Sequence, residues 1–198
     1  MQPMIDFVDA GKEQTTRRKG RRSEKPRVAV VMGSDSDLPV LRPGLAILDK
    51  FGIPYTTRIT SAHRTPSWMA TFASEAASSG IQVIIAAAGG AAHLPGMTAA
   101  YTPLPVIGVP VKPTIGDGMD SLLSICNMPK GVPVATVSVN NSINAALLAA
   151  RILGAQDMEV RGRVEQYMAD SEREVREKDQ KLLDLGAERY AEQVLGKK

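Results

Sequence analysis

Both histidines of this chain sit in short loops of small residues closed by proline: His63 in "TSAHRTP" (60–66) and His93 in "GGAAHLPG" (89–96). Imidazole is the side chain best suited to exchange protons near neutral pH. His63 has Arg64 beside it, and a guanidinium makes paired hydrogen bonds to phosphate. His93 stands among glycine and alanine, where it reads either as a hydrogen-bonded structural histidine or as the wall of a water-poor pocket. Gly89 and Gly90 let a flat ligand come close to backbone. A third stretch, "GSDSD" (33–37), reads by itself as a turn and helix cap. Its functional reading is a set of backbone amides with the Ser34 hydroxyl at a helix N-terminus, which suits phosphate. Asp37 repels phosphate but accepts hydrogen bonds from sugar hydroxyls. Together the three loops point to proton transfer on a small ribose phosphate.

What is missing narrows the chemistry. The chain has no Gly-x-x-x-x-Gly-Lys-Ser/Thr, which disfavours a phosphate-transferring nucleotidase, and "GSDSDL" does not match the dinucleotide pattern G-x-G-x-x-G. Two histidines and the distant Cys126 lack metal-ligand spacing. The expectation is acid–base chemistry with no metal and no organic cofactor.

These loops must be held by something, and the intervening pattern says what. "RVAVVM", "YTTRIT", "IQVIIAAA", "PVIGVPV" and "VPVATVSV" read as strands rich in β-branched residues. "DLPVLRPGLAILDKFG", "TPSWMATFASEAASSG", "MDSLLSICNM" and "NSINAALLAARILG" read as helices between them. Thr65-Pro66 resembles a cap followed by proline in the first turn, and Gly80 is the expected stop of that helix. Pro43 falls inside the first helix and should bend it. Alternating strands and helices predict an α/β fold: a central parallel sheet in three layers, with a charged C-terminal helix. In such sheets ligands bind beyond the carboxyl ends of the strands, where all three loops fall, together with "KPTIGDGMDS" after the fourth strand. Helices such as "NAALLAARIL" are apolar all round and must be buried; the expected cover is a second subunit.

Charge divides the chain into 1–26, 27–155 and 156–198. Eight basic against four acidic side chains give residues 1–27 a charge of +4; the whole chain is +3, leaving −1 for residues 28–198. The basic leader, with "RRKGRR", reads as a disordered leader or linker in preference to a nucleic-acid contact. Residues 28–155 hold thirteen charged side chains and residues 156–198 hold twenty, the pattern of a solvated helical extension. A single cysteine excludes a disulfide framework and fits a reducing, cytoplasmic compartment. No apolar run reaches the roughly 18 residues a membrane span needs, so no membrane partner is expected.

"GSDSDLPV", "SAHRTP", "AAAGGAAHLPGM" and "DSLLSICNMPKGVPVATV" occur in this order over residues 27–155 and resemble the class I PurE family of purine biosynthesis. "TPLPVIGVPV" and "VNNSINAALLAARILGA", with the charged tail, look most like the carboxylase domain of fungal and plant bifunctional enzymes, where an ATP-grasp domain precedes it. The resemblance implies a flavodoxin-like domain assembled as a homo-octamer. It also implies reversible conversion of N5-carboxyaminoimidazole ribonucleotide to 4-carboxyaminoimidazole ribonucleotide, without metal or cofactor. By motif position Ser34, Ser61 and Arg64 hold the phosphate, Asp37 the ribose hydroxyls, and His63 moves the proton. Gly89, Gly90 and His93, with Leu94, line the pocket for the migrating carboxyl group, and the segment around Met128 helps complete it. The sequence departs from the usual pattern at Ala87, Cys126, Asn127 and Lys130. Two rivals remain: a class II-type enzyme that takes free CO2 and aminoimidazole ribonucleotide, and a non-catalytic ribonucleotide-binding module.

Overall fold

Strand β1 (Val28–Met32) is buried at every position, as is β4 (Val106–Val111), and β3 (Val83–Gly89) is buried up to its final glycine. Strands apolar on both faces belong in a parallel sheet covered on both sides. With β2 (Tyr55–Ile59) and β5 (Ala135–Thr136) they form a five-stranded parallel sheet in the order β2-β1-β3-β4-β5. The structure, a computed structural model, describes residues 25–196. Nearly all of the basic leader therefore lies outside the described residues.

Seven helices are found among the described residues: α1 (Leu38–Lys50), α2 (Pro66–Glu75), α3 (Leu94–Ala100), α4 (Met119–Cys126), α5 (Ser142–Gly154), α6 (Met158–Leu185) and α7 (Ala187–Gln193). Strand alternation sends Val83, Ile85 and Ala87 to one face of the sheet, into a core shared with α1, α5 and α6. Ile84, Ala86 and Ala88 point to the other face, with Met69 of α2, Leu94 of α3 and Ile125 of α4. Three layers result, as the pattern predicts.

Four local readings change. The strand expected over "VPVATVSV" pairs only at Ala135 and Thr136, because β4 offers Pro110, which has no N–H to continue the ladder. Helix α2 ends at Glu75, before Gly80: the hydroxyls of Ser78 and Ser79 donate to the carbonyls of Glu75 and Ala76, competing with further helical turns. Helix α3 lay hidden in "HLPGMTAA", with His93 as its cap residue and proline in its first turn.

The fourth concerns α5, whose alanine face is covered by its own chain while Ile143 stays exposed. Ala145, Ala146, Ala149 and Ala150 are wholly buried in the core formed with α1, α6 and the sheet. At its start Ser142 inserts beside Pro43: the Gly44 N–H donates to Ser142 Oγ at 3.1 Å, and that hydroxyl donates to the Val40 carbonyl at 2.5 Å. The serine thus serves the helical turn that proline disrupts. Helix α6 starts at Asp157, whose carboxylate accepts from the amides of Glu159 and Val160 at 3.1 Å. Only Val160 and Val164 of α6 are buried, and its outer half is laced by pairs such as Glu172–Arg176 and Glu174–Lys178.

Candidate active site

The loops leaving β1, β2, β3 and β4 open onto one cleft of about 540 Å³. Parallel strands all end on the same edge, so four separated segments converge there. The β1 loop brings Gly33, Ser34, Ser36 and Asp37; the β2 loop brings Ser61, His63 and Arg64. From the β3 loop come Gly89, His93 and Leu94, and from the β4 loop Lys112 and Thr114.

The two histidines touch. His63 Nε2 lies 2.7 Å from His93 Nδ1, with ring centroids 4.9 Å apart and planes at 86°. A bond between ring nitrogens needs a proton on one and a lone pair on the other, so one imidazole donates and the other accepts. His63 is placed by a tight turn: the Thr65 amide and hydroxyl donate to the Ser61 carbonyl at 2.9 and 3.0 Å, and the Thr60 amide continues the ladder onto Met32. His93 is placed at the N-cap position of α3, where its carbonyl accepts the Met97 amide at 2.9 Å. Both rings are exposed to the cleft.

Arg64 ties the first two loops together. Its Nη2 donates to the Gly33 carbonyl at 2.7 Å, and its amide and Nε both donate to Ser61 Oγ at 3.3 Å. Arg64, Ser34 and Ser61 also line a second hollow of about 330 Å³. Ser34 caps the 3-10 turn Asp35–Asp37 that leads into α1: its hydroxyl accepts the Ser36 amide and donates to Asp35 Oδ1, so amides and hydroxyls gather at a helix start. Burial pushes the Asp37 carboxyl above its ordinary value, while the backbone amides of Ser34 and Gly33 and the charge of Arg64 pull it back down.

Of the residues read from sequence, Ser34, Asp37, Ser61, His63, Arg64, Gly89, His93 and Leu94 line the cleft. Gly90 does not: its φ of +65° turns the chain at the rim, and its amide donates to Ser121 Oγ. Lys112 and Thr114 were not singled out, although the strand-end rule that located the other loops applies equally to β4. The Ala87 methyl packs in the core with α1 and α5, beneath the sheet and away from the cleft. Met128 packs on α3, where a Cβ on Gly96 would lie 2.3 Å from its Sδ. Among the described residues no cluster of three or more His, Cys, Asp or Glu side chains could hold a metal ion, and no helix is long and apolar enough to cross a membrane.

Residues 27–174 match the family model described as AIR carboxylase. The chain belongs to the AIR carboxylase family. It is 55% identical over 169 residues to an N5-carboxyaminoimidazole ribonucleotide mutase of Pyrococcus horikoshii, spanning 85% of this chain and 96% of that relative. It is also 58% identical over 168 residues to a phosphoribosylaminoimidazole carboxylase of Saccharomyces cerevisiae, covering 85% of this chain but only 29% of the yeast protein. The crystal structure of Treponema denticola PurE superposes with a TM-score of 0.71 at 32% identity, over 79% of this chain and 98% of that one. This AIR carboxylase family chain thus spans nearly all of an archaeal mutase and under a third of its yeast relative.

Proposed function

We propose that the chain interconverts N5-carboxyaminoimidazole ribonucleotide and 4-carboxyaminoimidazole ribonucleotide in purine biosynthesis, with His63 as the proton carrier. The observation that carries this reading is the His63–His93 contact at 2.7 Å inside a cleft that also holds Ser34, Asp37, Ser61 and Arg64. Ser34, Ser61 and Arg64 hold the phosphate, and Asp37 takes the ribose hydroxyls. Gly89, His93 and Leu94 line the carboxyl pocket, with Gly90 shaping it from the rim.

The chemistry balances with one imidazole. The N5–carboxyl bond breaks, releasing CO2 into the pocket, and N5 takes a proton from His63. C4 of the ring then attacks CO2, forming the new carbon–carbon bond, and the C4 proton returns to His63. The same group acts as acid and then as base, so no other proton source is needed. Retaining CO2 requires walls that exclude water, and Ala88, Ala91 and Leu94 provide apolar ones.

The assembly belongs to the same proposal. The unit is a catalytic domain over 27–155 with a helical extension over 156–198, assembled as a homo-octamer in the cytoplasm. Exposed Ile59 and Trp68, at 52% and 48%, support a covering partner at the β2 edge, and the exposed free thiol of Cys126 fits a reducing compartment. A preceding ATP-grasp domain is in keeping with the greater length of the yeast relative.

The test is turnover of 4-carboxyaminoimidazole ribonucleotide followed spectrophotometrically, with ligand binding measured in parallel, for the parent and His63→Asn. Turnover in the parent, lowered about 10²- to 10⁴-fold in the variant while binding survives, is the expected result. Binding without turnover by either protein would leave a ribonucleotide-binding module instead.

A further inference from the structure

Gly89 and Val111 are partners at the last rung between β3 and β4. Beyond it the two strands separate into the loops that carry Ala91 and His93 on one side and Lys112 and Thr114 on the other. The gap between them is bridged by a single hydroxyl from α4. Ser121 Oγ accepts the Gly90 amide at 2.9 Å and donates to the Val111 carbonyl at 2.8 Å. Ser121 is fully buried; its bond to Val111 is shielded from water and its bond to Gly90 partly so. The space is tight as well: a Cβ on Gly89 would lie 2.9 Å from the Val111 carbonyl oxygen, so the two strand ends touch backbone to backbone.

This bridge has a consequence for the cleft. No peptide bond among the described residues is cis, so the Gly89 carbonyl points opposite to the Gly90 N–H that Ser121 holds. Fixing one fixes the other, and Gly89 lines the cleft. The same hydroxyl sets the separation of the two loops at the point where they diverge.

We propose that Ser121 is a positioning residue for carboxyl transfer: its hydroxyl locks the Gly89–Gly90 peptide against the end of β4 and so keeps the pocket narrow enough to hold CO2 between release from N5 and attack by C4. This inference rests on the reaction proposed above. A purely structural serine would lower thermal stability when removed and leave the fate of CO2 unchanged.

The experiment supplies substrate with an isotopic label in its N5-carboxyl group, in buffer containing unlabelled bicarbonate. The label retained per molecule of 4-carboxyaminoimidazole ribonucleotide formed is compared for the parent, Ser121→Ala and Ser121→Cys. The parent retains most of its label. Ser121→Ala is expected to lower kcat about tenfold with little change in KM, and to lose at least half of the retained label as CO2 exchanges with the medium. Ser121→Cys, which keeps a weaker donor and acceptor in nearly the same volume, falls between the two. Retention at the parent level in Ser121→Ala overturns the proposal, whatever its melting temperature. If that variant does not fold, parent-level retention in Ser121→Cys overturns it equally. Absence of turnover in the parent would instead sink the reaction assignment, so the two failures are distinguishable.

Discussion

His63 and His93 meet edge to face, their nitrogens 2.7 Å apart, although thirty residues separate them in sequence. The contact engages His63 Nε2, so His93 is expected to orient the His63 ring. Replacing His93 by alanine removes that bond while keeping His63, the proposed proton carrier. The expected outcome for His93→Ala is a kcat about tenfold lower with little change in KM, a smaller loss than for His63→Asn. Steady-state kinetics of parent and variant check it; an unchanged kcat would show that the contact has no bearing on proton transfer.

Arg64 reaches both the Gly33 carbonyl and Ser61 Oγ through different nitrogens, a geometry lysine cannot copy. Arg64→Lys keeps the charge and loses the fork. Charge-assisted hydrogen bonds contribute about 1.5–3 kcal/mol, which predicts KM raised roughly ten- to hundredfold. Inorganic phosphate as a competitive inhibitor reports the same site, and its inhibition constant should rise in step. A KM that rises while phosphate inhibition stays constant would place Arg64 elsewhere on the substrate.

Asp37 makes stability depend on pH. Its carboxyl is raised in the fold, chiefly by burial, so ionising it costs more in the folded chain than in the unfolded one. The neutral acid therefore favours folding below the unfolded value, and that advantage is lost as pH rises through the folded value. Asp37→Asn does not titrate. Its melting temperature relative to the parent should climb as pH rises above the ordinary carboxyl value of 3.8 and level off once the folded carboxyl has ionised. Thermal unfolding of both proteins at several pH values checks this, since other titrating groups cancel in the difference. Substrate affinity should fall in the same variant, the cost of a group kept for binding. A flat difference would mean that Asp37 is not strained by burial.

Gly44 sets two effects against each other. Alanine has the better helix propensity by about 1 kcal/mol. Yet a Cβ at this position would lie 2.5 Å from the Ser142 carbonyl oxygen and 2.9 Å from its carbon, and backbone at the start of α5 has little room to give. Overpacking of this kind costs about 1–3 kcal/mol, so the clash wins. Gly44→Ala should melt several degrees below the parent while keeping its activity at low temperature, because α1 and α5 meet on the face of the sheet opposite α3. Thermal denaturation alongside turnover at low temperature measures both.

The sequence by itself determined the sheet and the edge on which the cleft opens. Runs such as "VIIAAA" are apolar at every position, which only a strand covered on both faces tolerates, and the polar loops fall after strands β1, β2 and β3. The candidate residues of those loops were legible for the same reason, because parallel topology forces strand ends together whatever the details. Residues missed or misplaced depended on distances that no local pattern encodes. Lys112 follows a strand whose loop carries no histidine or glycine pair to mark it, and Gly90 turns away because Ser121 is there to receive its amide. Helix α3 was masked by Gly96, a poor helix former in isolation, which is needed because Met128 packs where its side chain would stand. The apolar surface of α5 required burial but could not specify by what; α1 and α6 cover its alanine face, and Ser142 fits beside Pro43 from 99 residues away. Hydrophobic periodicity records whether a side chain meets water, since that term is non-directional and roughly proportional to area. Which atoms meet each other is decided by close packing and hydrogen-bond geometry between distant segments, and those exist only once the chain has folded.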